Sequence, residues 1–292
     1  MKLRNKTFAQ LYEQTLAEVY TAYDFIVKPR GMEIKEIQNL VLELTNPYSN
    51  LFTNQVRSVP LKYLCGELYW YFTGNRTTEF ISKYAKFWEE ISSKDGFGRE
   101  IANSAYGYML FERGKPFFTE WSWALQSLQQ DEDTRQAIMH FNTPQYMKRN
   151  VKDFPCTMDG VFQIRNHRLS FTVHMRSQDV IKGLTYDLPF FSMLQQNMLI
   201  LLNSGRDKFS QLTMGSLTLF VNSEHLYQSD YELARKMLLT EYPTFKESTL
   251  PPMRQPLFTE GENYYLLSPQ LRPKDELVDF ILTHAELKEK SE

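Results

Sequence analysis

One stretch of this chain concentrates the residue types that do chemistry. A lone cysteine sits in Asp153-Phe154-Pro155-Cys156-Thr157, followed by Arg176-Ser177-Gln178-Asp179 and by an aspartate closing Gly183-Leu184-Thr185-Tyr186-Asp187. A thiolate attacks electron-poor carbon, a guanidinium beside a hydroxyl grips an anion, and a carboxylate among apolar neighbours accepts from hydrogen-bond donors. An arbitrary free cysteine is most often a buried structural residue. Here Pro155 fixes the backbone before Cys156 and polar Thr157 follows, which places the thiol at a strand entrance rather than in mid-core. Arg176, if it folds back nearby, adds positive potential that raises the thiolate fraction.

Glu67 has a double reading within Leu64-Cys65-Gly66-Glu67-Leu68-Tyr69-Trp70. An acid in a helix is usually its solvated edge. With apolar neighbours on both sides, the carboxyl of an internal helix would instead be desolvated and suited to acid–base work. The sequence leaves both open.

Composition limits what these groups can serve. The chain has 292 residues, 42% of them hydrophobic, enough for one substantial core. Its 33 basic and 35 acidic residues leave a net charge of −2, which argues against binding nucleic acid by bulk electrostatics. The 14% aromatic content could suggest a base-stacking surface, but such platforms accompany a basic groove, so the aromatics are assigned to core and interface. Cys65 and Cys156 form no CxxC pair and no His/Cys ligand pattern, so neither a disulfide framework nor a metal site is expected. The N-terminal segment is too polar for a signal-peptide core, and no run approaches the ~18 apolar residues of a spanning helix. A cytoplasmic protein with no membrane partner is expected.

The elements that must position these groups follow from periodicity. Phe8, Leu11, Tyr12, Leu16, Val19 and Tyr20 have the spacing of an amphipathic helix, broken at Lys28-Pro29-Arg30-Gly31. Met32 to Leu44 reads as β and closes at Thr45-Asn46-Pro47. Helices are predicted over Leu61 to Phe72, Phe118 to Leu128 and Pro189 to Asn203. Strands are predicted over Ala137 to Phe141, Val161 to Ile164, Leu169 to Val173 and Leu217 to Val221, with a turn at residues 165–168. No repeat or linker interrupts the chain. One α+β domain over residues 1–292 is expected, a mixed or antiparallel sheet with flanking helices, ending in a charged, frayed tail from about residue 286.

Several motifs occur in a fixed order: Glu67-Leu68-Tyr69-Trp70-Tyr71-Phe72-Thr73-Gly74, Phe87-Trp88, Tyr106-Gly107, Pro155-Cys156, Arg176-Ser177-Gln178-Asp179, Gly183-Leu184-Thr185-Tyr186-Asp187 and His225-Leu226-Tyr227. In that order they resemble the thymidylate synthase superfamily over roughly residues 28 to 230. The resemblance implies a three-layer, homodimeric enzyme of thymidylate synthase-like fold that moves a one-carbon unit from methylenetetrahydrofolate to carbon 5 of a pyrimidine nucleoside monophosphate, with no metal. It implies that Cys156 adds to carbon 6, that Glu67 organises water and protons at the base, and that Tyr106 assists proton removal from carbon 5. Arg176 and Ser177 would hold the 5′-phosphate, with Arg30 closing over it and Arg135 reaching across the dimer. His225 and Tyr227 would bond the sugar 3′-hydroxyl. Asp179 would meet the pterin, while Trp88, Gly183 and Tyr186 shape the folate pocket.

The departures narrow this further. Family members acting on dUMP carry asparagine where this chain has Asp187, because an amide can donate to the uracil carbonyl and accept from the ring N–H. Cytosine presents the reverse edge, which a carboxyl group matches. Asn103-Ser104-Ala105-Tyr106-Gly107-Tyr108 and Val221-Asn222-Ser223-Glu224-His225-Leu226-Tyr227 look more like the phage dCMP hydroxymethylases. In Asp133-Thr134-Arg135-Gln136, Gln136 replaces the second of two adjacent family arginines, and the charged tail replaces the family's short apolar terminus. The expected reaction is hydroxymethylation of dCMP, with tetrahydrofolate as the second product. Methylation of dCMP with release of dihydrofolate, a CMP hydroxymethylase, a dUMP-using thymidylate synthase, and a nucleotide-binding relative without turnover stay open as alternatives. A viral source would put the work in the host cytoplasm.

Overall fold

The computed structural model describes residues 1–114, 118–147, 151–207, 210–239, 244–258, 266 and 274–287. In chain order these form β1 (Lys2–Asn5), α1 (Phe8–Thr21), β2 (Phe25–Val27), β3 (Ile34–Leu44), β4 (Leu51–Asn54) and α2 (Leu61–Phe72). There follow α3 (Thr78–Ile81), α4 (Phe87–Ile91), β5 (Ser93–Lys94), β6 (Glu100–Ile101), α5 (Tyr106–Phe111), α6 (Glu120–Gln130), β7 (Ile138–His140) and β8 (Thr157–Arg165). The last elements are β9 (Arg168–Met175), β10 (Gln178–Asp179), α7 (Leu184–Asn203), β11 (Thr213–Tyr227), α8 (Tyr231–Leu238), β12 (Phe245–Ser248) and α9 (Glu276–His284). The expected charged tail lies, beyond Leu287, outside the described residues. Among the described residues no helix is long and apolar enough to cross a membrane.

The chain divides into two compact units, each assembled from separate stretches of sequence. The first comprises Met1–Val59, Arg165–Gln196 and Leu212–Leu250. Its sheet is mixed, as expected: β3 runs parallel to β1 and antiparallel to β11, and β11 runs parallel to β9 and, further along, to β10. Thr7 caps α1 by accepting the Gln10 N–H, and the buried stripe Phe8, Leu11, Tyr12, Leu16 and Val19 matches the predicted face. Tyr12 stacks on Phe52 of β4 at 4.2 Å between ring centroids, and each such ring taken fully from water contributes about 1.5–3 kcal/mol.

The second unit comprises Pro60–Ile164, Asn197–Gln211 and Pro251–Glu292. Here β7 pairs antiparallel with β8, and the fully buried Trp121 of α6 packs edge-on against Phe111 of α5 and Phe162 of β8. Thr119 and Ser122 form a reciprocal capping box, so α6 starts at Glu120, and Phe118, expected inside it, is exposed. A single carboxamide secures the 257–258 segment. Asn197 Oδ1 accepts the N–H groups of Leu257 and Phe258 at 2.7 and 3.2 Å, and its Nδ2 donates to Phe258 O at 2.8 Å.

Two expected boundaries are corrected. α7 begins at Leu184, not at Pro189, and carries the proline inside. The N–H groups of Tyr186 and Asp187 both bond Gly183 O, which starts the helical turn early and moves Asp187 onto the helix. β11 extends well past the predicted Leu217 to Val221. Its inward phase passes from odd residues (Leu217, Leu219, Val221) to even ones (Glu224, Leu226) across Asn222, where pairing with β3 is interrupted at Asn39, a left-handed residue with φ of 55°.

Candidate active site

In the second unit, α2 carries Glu67 mid-helix at 7% exposure, with Tyr63 and Tyr71 one turn away on either side. The i±4 spacing puts all three on one face. Tyr63 Oη donates to Glu67 Oε1 at 2.8 Å, Tyr71 Oη donates to the same oxygen at 3.4 Å, and Trp88 Nε1 donates to Tyr63 Oη at 3.0 Å. Of the two sequence readings of Glu67, the structure selects the internal one. Its carboxyl is held by phenols rather than by bulk water.

Tyr106 joins the group through its neighbour. A Cβ on Gly107 would fall 1.7 Å from Tyr71 O, so only glycine lets α5 press against α2. The Tyr71 and Tyr106 rings then stack with centroids 5.3 Å apart. Trp88 is 6% exposed, with little open ring face. Phe87 beside it is 57% exposed.

Cys156 is half-buried and stands immediately before β8, the strand entrance expected of it. Its loop is fastened by buried Asp153, whose Oδ2 accepts the Ser104 N–H at 2.9 Å and whose carbonyl accepts from Asn103 Nδ2 at 3.1 Å. The segment holding the thiol is thereby tied to the segment leading into Tyr106. Cys65 differs: it is fully buried, and desolvation pushes its thiol up to about 12, which leaves almost no thiolate at neutral pH. Arg135 is exposed, just beyond α6.

The first unit holds the other predicted residues. Arg176 Nη1 donates to Ser177 Oγ at 3.0 Å, both half-buried at the end of β9. Asp179 Oδ1 accepts the N–H groups of Ile181 and Lys182 at 2.8 and 3.0 Å, an Asx turn that ends β10. Any further bond to a ligand therefore falls to Oδ2. Burial raises the Asp179 pKa, against the opposing pull of His225 and the Lys182 N–H. Asp179 pairs in register with His225 across the ladder, and the His225 ring meets Tyr227 edge-on at 5.0 Å. A Cβ at Gly183 would meet Asp179 O at 2.9 Å, so the bare glycine preserves this turn. Arg57 Nη2 donates to Tyr186 Oη at 3.3 Å. Arg30 is exposed and left-handed (φ 53°) in the Pro29–Gly31 turn.

Asp187 sits half-buried in the first turn of α7 and accepts from Gln178 Nε2 at 2.9 Å. Burial pushes its carboxyl up to about 7, with the Gln178 bond opposing. The sequence reading did not assign roles to two residues behind it. Glu224 is fully buried, and neither carboxyl oxygen has a hydrogen-bond partner; Gln178, at 2% exposure, has an unpartnered Oε1. Burial first, then the nearby Asp179 and Asp187 carboxyls, raise the Glu224 pKa well above the ordinary range. The available signal was an acid next to His225 in a β-like segment. Among the described residues no cluster of His, Cys, Asp and Glu is arranged to hold a metal ion.

A cysteine at a strand entrance, a phenol-held glutamate and a carboxyl on the helix after an Arg-Ser pair follow the motif order of one group of enzymes. The chain belongs to the thymidylate synthase family, whose model matches residues 11–257. Among known proteins it is 28% identical over 215 residues to the deoxycytidylate 5-hydroxymethyltransferase of Enterobacteria phage T4, covering 72% of this chain and 82% of that protein. The phage T6 protein of the same name matches equally. The deoxyuridylate hydroxymethyltransferase of Bacillus phage SP01 is 26% identical over 234 residues, covering 76% of this chain and 57% of that protein.

Proposed function

We propose that this protein is a deoxycytidylate 5-hydroxymethyltransferase, converting dCMP, methylenetetrahydrofolate and water to 5-hydroxymethyl-dCMP and tetrahydrofolate. The observation that carries this is Asp187: a carboxyl titrating near neutrality stands where a dUMP enzyme has asparagine. Paired with cytosine, such a carboxyl accepts from the exocyclic amine while one proton is shared with ring N3. Glu67 and Cys156 support turnover over mere binding, because a binding module needs neither a nucleophile nor a positioned acid.

Cys156 would attack carbon 6, forming an S–C bond as the ring double bond shifts its electron pair toward carbon 5. Tyr106 would help remove the carbon 5 proton, and Glu67, through its phenol-held carboxyl, would order water and relay protons at the base. Expulsion of Cys156 restores the ring double bond. Arg176, Ser177, Arg30 and Arg135 would hold the phosphate, the last from the second protomer of a homodimer, and His225 and Tyr227 would hold the sugar. Asp179, Gly183, Tyr186 and Trp88 would hold methylenetetrahydrofolate, which when bound supplies the one-carbon unit. The turn preserved at Gly183 beside Asp179 suits that task. With a phage source like that of its relatives, the enzyme would work in a host cytoplasm.

Use of dUMP is the second reading, supported by the similarity to the phage SP01 protein. Incubation with methylenetetrahydrofolate and either nucleotide, followed by mass analysis and by absorbance for dihydrofolate, separates the possibilities. The expected product is hydroxymethyl-dCMP without dihydrofolate. A methylated product with stoichiometric dihydrofolate, or turnover of dUMP in preference to dCMP, overturns the proposal.

A further inference from the structure

Gln178 and Glu224 are cross-ladder neighbours in the β10–β11 pair, and both are buried. Gln178 spends Nε2 on Asp187 Oδ2, which leaves its Oε1 without a hydrogen-bond partner, while both oxygens of Glu224 also lack a donor. Neighbouring buried acceptors with no donor between them are costly. One proton removes the conflict. Glutamine cannot carry it and glutamate can.

We propose that Glu224 is held as the neutral acid and donates to Gln178 Oε1, and that this pair positions Asp187 by fixing which of its oxygens is the acceptor. The inference rests on the cytosine reading of Asp187 and deepens it. A neutral aspartic acid is nearly symmetric in its chemistry. With the proton on one oxygen it offers the donor–acceptor order that matches cytosine; with the proton on the other it offers the order that matches uracil. Substituting aspartate for asparagine is therefore not enough to select a base. A lock on the proton is needed. With Gln178 Nε2 donating to Oδ2, that oxygen is the acceptor and the proton belongs on Oδ1. Were the Gln178 amide reversed, Oε1 would face Oδ2 and draw the proton there instead. The acid proton of Glu224, given to Oε1, holds the amide in the orientation whose Nε2 meets Asp187. Burial and the nearby Asp179 and Asp187 favour the neutral form of Glu224, consistent with this assignment.

Base choice and Glu224 protonation can be read separately. Release of carbon 5 tritium from dCMP and dUMP gives a kcat/KM ratio for the wild type, Glu224→Gln, Glu224→Leu and Gln178→Met. Glu224→Gln keeps an N–H for Gln178 Oε1 and should hold the ratio within about threefold, whereas Glu224→Leu and Gln178→Met should lower it about tenfold or more, with kcat/KM for dUMP rising. A purely structural role would depress both substrates together, and that result overturns the proposal, as does an unchanged ratio in Gln178→Met. Infrared difference spectra of the nucleotide-free protein at neutral pH test the proton itself: a protonated-carboxyl band should be lost in Glu224→Gln. If that band is absent from the wild type, the proposal fails even where dCMP is the substrate. If dUMP proves to be the substrate while the band is present, the cytosine reading fails and the protonation of Glu224 stands.

Discussion

Gln178 donates its amide proton to Asp187 Oδ2 at 2.9 Å, so one face of the base-reading carboxyl is already committed before any nucleotide arrives. In Asp187→Asn a carboxamide that turns Nδ2 toward the exocyclic group and Oδ1 toward ring N3, with Gln178 Oε1 accepting from that Nδ2, suits uracil and opposes cytosine. The dCMP/dUMP ratio of kcat/KM should fall by about 10² or more, since a site built to pair one polar edge rejects the other strongly. Tritium release from both nucleotides measures this, and an unchanged ratio would place base choice elsewhere.

The same carboxyl links stability to pH. Its pKa stands at about 7 in the folded chain against an ordinary 3.8. The folded state therefore binds more protons than the unfolded state between those values. The stabilisation is fully present below about pH 4 and is lost as pH rises toward 7, with a ceiling on the order of 4 kcal/mol from about 1.4 kcal/mol per unit. Glu224, whose pKa burial also raises, slopes in the same direction. Urea denaturation of the wild type and Asp187→Asn at pH 5 and pH 7.5 should show the variant gaining relative stability at the higher pH. A difference independent of pH would contradict the raised pKa.

Much of this site was legible because its parts are local. The Cys156 strand entrance follows from Pro155 and Thr157, and α2 follows from its run of apolar residues; both depend on a few neighbours in sequence. What was not legible depends on distant partners. Glu224 turns inward only because β11 changes phase where β3 places Asn39 in a left-handed conformation. Its importance also needs Gln178 opposite it, an alignment made by parallel pairing across a long connection. The early start of α7 was hidden by Pro189, which as a helix breaker suggested a boundary the Gly183 turn overrides. The pairing of β4 with β12 joins segments whose local patterns give no hint of each other.

The two cysteines should separate cleanly. Cys156→Ala removes the half-buried thiol at the β8 entrance and should abolish carbon 5 tritium release while leaving nucleotide binding within about tenfold, because covalent attack and not affinity is lost. Cys65→Ala should retain release, since that thiol is fully buried and pushed up to about 12. Alkylation with iodoacetamide at neutral pH, read by peptide mass, should mark Cys156 first. Persistent tritium release in Cys156→Ala would remove it from the mechanism.

Tyr63 links two residues assigned to different tasks, donating to Glu67 Oε1 at 2.8 Å while accepting from Trp88 Nε1 at 3.0 Å. Tyr63→Phe keeps the ring and deletes the shared hydroxyl, leaving a buried carboxyl short of a donor and a buried indole N–H short of an acceptor. If Glu67 orders water and protons at the base, the loss should appear mainly in kcat, by about 10- to 100-fold for one or two disrupted buried hydrogen bonds. The KM for nucleotide should move far less, because the phosphate and sugar contacts are assigned to other residues. Glu67→Gln should give a similar kcat loss, and the double variant should fall well short of the product of the two, since both act through one carboxyl. Steady-state kinetics on the four proteins supplies the cycle. Multiplicative losses would mean that Tyr63 and Glu67 act independently, and that the hydrogen bond between them orders the helix face without serving the reaction.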